Sequence, residues 1–164
     1  MRMSEIYLVT EIKAPIELVF DLSRSINLHE KSTQQTHEKA ISGKTTGLID
    51  LHESVTWRAK HFGLYQSLTS KITAMEKPSY FVDEMVKGAF NHFRHEHIFT
   101  YQNGKTTMVD IFNFSSPFGV MGRVFDALIL KKYLTKFLMN RNEIIKEMAE
   151  SKQWEAFIGG SMNV

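Results

Sequence analysis

After about a hundred residues patterned as β-strand, the chain runs into one long amphipathic segment, Gly119 to Glu150, and no other feature limits the possible folds as strongly. Met121, Val124, Phe125, Leu128, Leu134, Leu138, Ile145 and Met148 recur at three- and four-residue steps, which predicts an uninterrupted helix with one buried face. A long helix closing a curved sheet leaves a cavity between them. Arg141 falls on the same stripe. A desolvated guanidinium needs an acidic partner, a ligand anion or a route to water, and a structural ion pair or snorkelling at the stripe's edge is favoured over anion recognition.

The first strand is expected at Ile6 to Ile12, and Ala14-Pro15 then opens a short helix with Ile16, Val19, Phe20 and Leu22 on its apolar face. A second helical turn is expected at Ser23 to His29, and a short strand at His37 to Ile41 within the polar stretch Lys31 to Thr46. From Gly47 the period is two. Leu51, Glu53, Val55, Trp57, Ala59 and His61 are expected to face inward, and His52, Ser54, Thr56, Arg58 and Lys60 to face solvent. Phe62-Gly63 turns into a strand that ends at Pro78; Tyr80 to Lys87, Asn91 to Tyr101 and Lys105 to Phe114 follow, the last two joined by an Asn103-Gly104 hairpin turn. Consecutive strands with short turns imply an antiparallel meander.

Composition bounds the function. At 164 residues and 43% hydrophobic content the chain is expected to form one domain, residues 1–150, followed by a tail, 151–164. The absence of cysteine excludes disulfides and thiolate chemistry, and fits a cytoplasmic protein. Met1 to Lys13 lacks the apolar run of a signal peptide, and no stretch is apolar enough to span a membrane. With a net charge of +2 and basic residues interleaved with acidic ones, the field that attracts nucleic acid is missing. No nucleotide-binding glycine loop occurs, so no cofactor is expected. The sequence sets no oligomeric state.

The most chemical stretch is Phe93-Arg94-His95-Glu96-His97-Ile98-Phe99. Strand alternation puts Phe93, His95, His97, Phe99 and Tyr101 on one face, and the aromatic members make it the buried one. His-x-His on a strand can offer two imidazoles to a metal, with His61 or Glu53 as third ligand. No longer metal motif is present, so histidines hydrogen-bonded in a partly polar pocket are favoured and no metal is expected. Asp83 and Asp110 are candidate partners for Arg141 or a histidine, on faces the pattern leaves open. A histidine and carboxylate set suits general acid/base catalysis, and equally a polar-lined binding cavity.

Strand, two short helices, meander and long C-terminal helix is the order of the helix-grip fold, and the chain resembles the SRPBCC, or START-like, superfamily, which includes birch-pollen-allergen relatives, lipid-transfer domains and aromatic polyketide cyclases. Val55 to Gly63, Phe81 to Phe90, Phe93 to Phe99, Ser116-Pro117-Phe118-Gly119 and Arg141-Asn142-Glu143 look like a bacterial branch labelled polyketide-cyclase-like or cell-division-inhibitor-like. The resemblance implies an α+β fold, a curved antiparallel sheet with two short helices and one long C-terminal helix enclosing a cavity for a hydrophobic ligand. It implies no single reaction, and no catalytic set carries over.

Three readings follow. The first is a carrier or sensor that encloses a small hydrophobic or amphipathic molecule, with Trp57, Phe93, Phe99, Leu128 and Leu138 along its apolar part and Glu53, His61, His95, His97 and Arg141 at its polar end. The second is a cofactor-independent cyclase, aromatase or dehydratase in which His95 or His97 moves protons beside Glu53 or Asp83. The third is an interaction module built on the aromatic tail, where Trp154, Phe157 and Ile158 precede Gly159-Gly160; packing of the tail on its own domain is favoured over a partner or a membrane surface.

Overall fold

The structure, a computed structural model, describes residues 3–117 and 119–159. Seven antiparallel strands form one sheet: β1 (Ser4–Ile12), β2 (Lys39–Gly43), β3 (Ser54–His61), β4 (Leu64–Glu76), β5 (Tyr80–Lys87), β6 (His92–Gln102) and β7 (Lys105–Ser115). Their order is β1-β7-β6-β5-β4-β3-β2, so β2 to β7 make a meander and β1 returns to pair with β7. The expected β2 shifts two residues along the chain, and β3 starts only at Ser54, because Leu51 and His52 lie in the turn before it. Register shifts at Ala40/Ser42, Thr69/Ser70 and Ile72/Ala74 bend β2 and β4. Such bulges increase local twist and curl a sheet into a concave wall.

Two short helices, α1 (Ile16–Ser23) and α2 (Ile26–Ser32), follow β1. Pro15 stands at the start of α1, and the Ser25 side chain caps α2 by accepting from the Leu28 N–H. Both helices pack against α4 (Lys131–Glu150). The main core lies there: Phe20, Phe81, Phe99, Met108, Ile145 and Met148 are buried together, with Phe20 edge-on to Phe81 and Phe99. After α4, Trp154, Phe157 and Ile158 pack against the same core, and the Ser25 hydroxyl donates to the Phe157 carbonyl at 3.1 Å. Gly160 lies outside the described residues.

The long helical segment has three parts. α3 (Gly119–Phe125) is followed by a wide π-type turn over Asp126–Leu130 and then by α4. The expected stripe does not hold through it: Met121 is 80% exposed, Leu128 is 71% exposed, and Val124 and Phe125 are exposed too. The reason is phase. From Leu128 to Leu134 is a six-residue step, which at 100° per residue falls roughly 120° short of two turns. The buried face runs instead through Gly122, Asp126, Leu130, Leu134 and Leu138 at four-residue steps. Gly122 is required by contact, since a Cβ there would lie 2.1 Å from the Pro117 carbonyl oxygen. Asp126 accepts from the Ser116 N–H at 2.9 Å and from its hydroxyl, which ties the helix to the end of β7.

Candidate functional site: a polar-ended cavity between sheet and helix

The concave face of the sheet and the inner face of α4 enclose a cavity of about 610 Å³. Val55, Ile72, Phe93, Phe112, Leu134 and Leu138 supply much of its apolar wall. Ligand pockets for molecules of modest size fall in this range of volume and character.

Two adjacent rows of cross-strand neighbours form a polar group on its wall. Asp83 on β5 stands opposite His95 on β6, and His97 on β6 stands opposite Asp110 on β7. Side chains directly opposite on one sheet face interact, so adjacent register positions bring two carboxylates and two imidazoles together. His95 Nε2 donates to Asp110 Oδ1 at 2.8 Å, and His97 Nδ1 lies 2.9 Å from the same oxygen but off the line of a hydrogen bond. From α4, the Asn142 amide donates to Asp110 Oδ2 at 2.7 Å, and the Arg141 guanidinium comes within 3.7 Å of Oδ1.

These contacts set the charges. Burial on its own raises the Asp110 carboxyl, but the His95 and His97 imidazoles beside it prevail and hold it well below the usual carboxylate range. Burial, then the neighbouring His95, push the His97 imidazole down from 6.5 to about 3 against the pull of Asp110. His97 is therefore neutral near pH 7. Asp83 is the reverse of Asp110: burial raises its carboxyl, and its Oδ1 has no hydrogen-bond partner among the described residues. Potential ligand atoms of Asp83, His95 and His97 lie within 4.8 Å of one another, so Asp83, rather than His61 or Glu53, is the third residue grouped with the two histidines.

Arg141 lines the cavity at 5% exposure, and both of its terminal nitrogens bond to the protein. It bonds the Asn142 side-chain oxygen at 3.2 Å and the Ser23 carbonyl at 3.0 Å besides facing Asp110. This is the geometry of a structural ion pair.

A second polar group sits on another part of the wall. His29 stacks on Trp57 with ring centres 4.2 Å apart and approaches Glu38 at 3.5 Å, while His61 Nδ1 bonds the Tyr133 hydroxyl at 2.8 Å. Burial alone would raise the Glu38 carboxyl, but His29, with His61 farther off, brings it below its ordinary value. Burial lowers the His61 imidazole and raises the Tyr133 phenol.

Of the residues expected at the site, Trp57, His61, Asp83, Phe93, His95, His97, Leu138 and Arg141 line this cavity. Three do not. Glu53 precedes β3 and accepts from the Asp50 N–H at 2.8 Å while pairing with Lys44, so the alternation read through it does not reach that far. Phe99 is on the inward face but belongs to the packed core beside Phe20 and Phe81. Leu128 points to solvent because of the phase change before α4. Sequence reading missed His29, Glu38 and Tyr133, which come from α2, the loop before β2 and α4; no local pattern links them. It also missed Asn142, although Asn142 adjoins Arg141 on a buried helix face.

No protein-family model matches the chain, and no curated protein matches it. Solved structures do. A protein of Thermus thermophilus superposes with a TM-score of 0.68 at 14% identity, covering 87% of this chain and 97% of that one. Ginseng major latex-like protein 151 from Panax ginseng gives 0.67 at 11% identity, covering 91% and 99%. A START superfamily protein from Mycobacterium smegmatis gives 0.67 at 8% identity, covering 89% and 97%. At such identities the likeness establishes the fold: this chain has the START-like, birch-pollen-allergen-like helix-grip fold.

Proposed function

We propose that the protein binds a small, mainly apolar molecule inside the cavity, as a carrier or sensor, with the polar groups of that molecule turned toward Asp83, His95 and His97. The observation that carries this reading is a cavity of about 610 Å³ whose wall is largely apolar and carries Asp83, His95 and His97 as one compact polar group. Filling such a space with an apolar molecule removes water from apolar surface at roughly 25 cal/mol per Å². The pairing of Arg141 with Asp110, and its bonds to Asn142 and Ser23, argue against an anionic end and for hydroxyl, carbonyl or amide groups, which a neutral His97 and the Asp83 oxygen can meet. Kinship of fold with ginseng latex-like and START superfamily proteins supports the reading as analogy only.

The test is titration with the neutral apolar probe N-phenyl-1-naphthylamine, followed by its fluorescence and by quenching of Trp57. Saturable one-to-one binding is expected, together with recovery of a small organic molecule on denaturing extraction of freshly purified protein. Absence of both defeats the proposal.

One observation favours a second reading, a cofactor-independent cyclase, aromatase or dehydratase. Asp83 has a raised pKa and an unpartnered oxygen on the cavity wall, opposite His95. A carboxyl that holds its proton nearer neutrality is suited to general acid/base work. Turnover that vanishes in Asp83→Asn while probe binding persists would establish it; saturable binding of compounds that emerge unaltered would exclude it.

A further inference from the structure

The exposed face of α3 and of the turn after it leaves Val120, Met121, Val124, Phe125, Leu128 and Ile129 in solvent. Their spacing repeats every four residues, so they form one continuous apolar strip. Across from it, the β3–β4 turn exposes Phe62 and Leu64, and the Phe62 and Phe125 rings meet with centres 6.0 Å apart. Phe62, Met121 and Phe125 also line the cavity, so the strip is continuous with the cavity wall. An apolar face this extended on a protein surface marks an interaction site.

Charge identifies the occupant. Exposed Lys131 and Lys132 follow the strip directly at the start of α4, and exposed Arg58 and Lys60 lie over the Tyr65 ring on the outer face of the β3–β4 hairpin whose turn carries Phe62; among the described residues none of the four is in an ion pair. Between Trp57 and Leu68 there is no acidic residue, and between Ser116 and Lys132 the one acid, Asp126, is buried against Ser116. An apolar strip bordered by unopposed cations is complementary to an anionic bilayer, whose headgroups attract each nearby Lys or Arg and whose acyl region accepts the apolar side chains. A second copy of this chain fits less well, because a two-fold contact through the strip would bring like charges together.

We propose that this face docks on anionic lipid bilayers and that docking places the cavity against the apolar layer, from which an apolar cargo enters without crossing water. The passage of cargo rests on the binding function proposed above; the docking does not.

The experiment is cosedimentation of the full chain with vesicles of phosphatidylcholine, with and without phosphatidylglycerol, in parallel with probe titration in vesicle-free buffer. The wild-type protein is expected to bind the phosphatidylglycerol vesicles, more weakly as salt rises. Val120→Asp/Leu128→Asp and Lys131→Glu/Lys132→Glu alter exposed positions outside the cavity, and each pair is expected to lower vesicle binding about tenfold or more with unchanged probe affinity. No vesicle binding by the wild type, or equal binding by the variants, overturns the proposal. So does a wild-type dimer in sedimentation velocity that Val120→Asp/Leu128→Asp dissolves, which would assign the face to a second copy. Vesicle binding without probe binding upholds docking and removes the cavity function instead.

Discussion

His95 and Arg141 meet at a single atom. His95 Nε2 lies 2.8 Å from Asp110 Oδ1 and the Arg141 guanidinium 3.7 Å from the same oxygen, so one buried carboxylate joins the centre of the sheet to the long helix. Asn142 takes the other oxygen at 2.7 Å.

Removing that carboxylate strands charge and donors in the interior. Asp110→Ala is expected to cost about 3–5 kcal/mol, as for other buried ion pairs broken from one side. Urea unfolding with an unchanged m-value and a lowered midpoint would show it. Arg141→Ala should lose stability as well while leaving affinity for a neutral probe within about twofold once folded protein is counted. A large loss of affinity at unchanged stability would return Arg141 to ligand recognition.

Acid should weaken the fold through His97. Its folded pKa is depressed to about 3 from 6.5, so between those values the unfolded chain binds a proton that the native state does not. Stability therefore falls as pH drops through this window, with a slope of up to about 1.4 kcal/mol per pH unit from this group. His61, also depressed, acts in the same direction, and Asp83, whose carboxyl is raised, acts in the opposite one. His97→Gln should reduce the pH dependence of the thermal midpoint between about pH 4 and 6.5 without abolishing it.

Asp83 contributes no stability at neutral pH. Its folded carboxyl is raised by burial, so ionisation above the unfolded value works against the native state. Asp83→Asn should match or exceed the wild type in urea at pH 7, by roughly 1 kcal/mol at most, and lose that advantage near pH 3.

Filling the cavity separates binding from folding. Ala59 is buried on β3 and lines the cavity wall, so Ala59→Phe puts a ring into existing space rather than into packed core. The thermal midpoint should hold or rise, whereas probe affinity should fall by about tenfold or more.

The tail acts as a brace. Trp154, Phe157 and Ile158 cover the main core beside α2, and truncation after Glu150 should cost roughly 2–4 kcal/mol of stability through lost apolar burial. Sedimentation of the truncated chain with an unchanged number of chains per particle would confirm that the loss is internal.

Period-two alternation located six of the seven strands closely and put His95 and His97 inward, since a strand's two faces are set by parity alone. Pro15, Asn103-Gly104 and the four-residue steps of Leu134 and Leu138 likewise dictated where a helix starts, a hairpin turns and α4 buries its face. The sequence by itself thus determined the element order, the helix-grip architecture and the histidine-bearing wall. Tertiary structure decided the rest. Both parities mix apolar and charged residues at Asp83 and Asp110, so only strand register, which places Asp83 opposite His95 and His97 opposite Asp110, brings those carboxylates to the cavity. The wide turn at Asp126–Leu130 sends Leu128 outward, and β3 begins too late to carry Glu53 inward. Parity and helical period are local, each set by a residue's own neighbours along the chain, whereas register, helix phase and the meeting of His29, Glu38, His61 and Tyr133 follow from how separate elements pack.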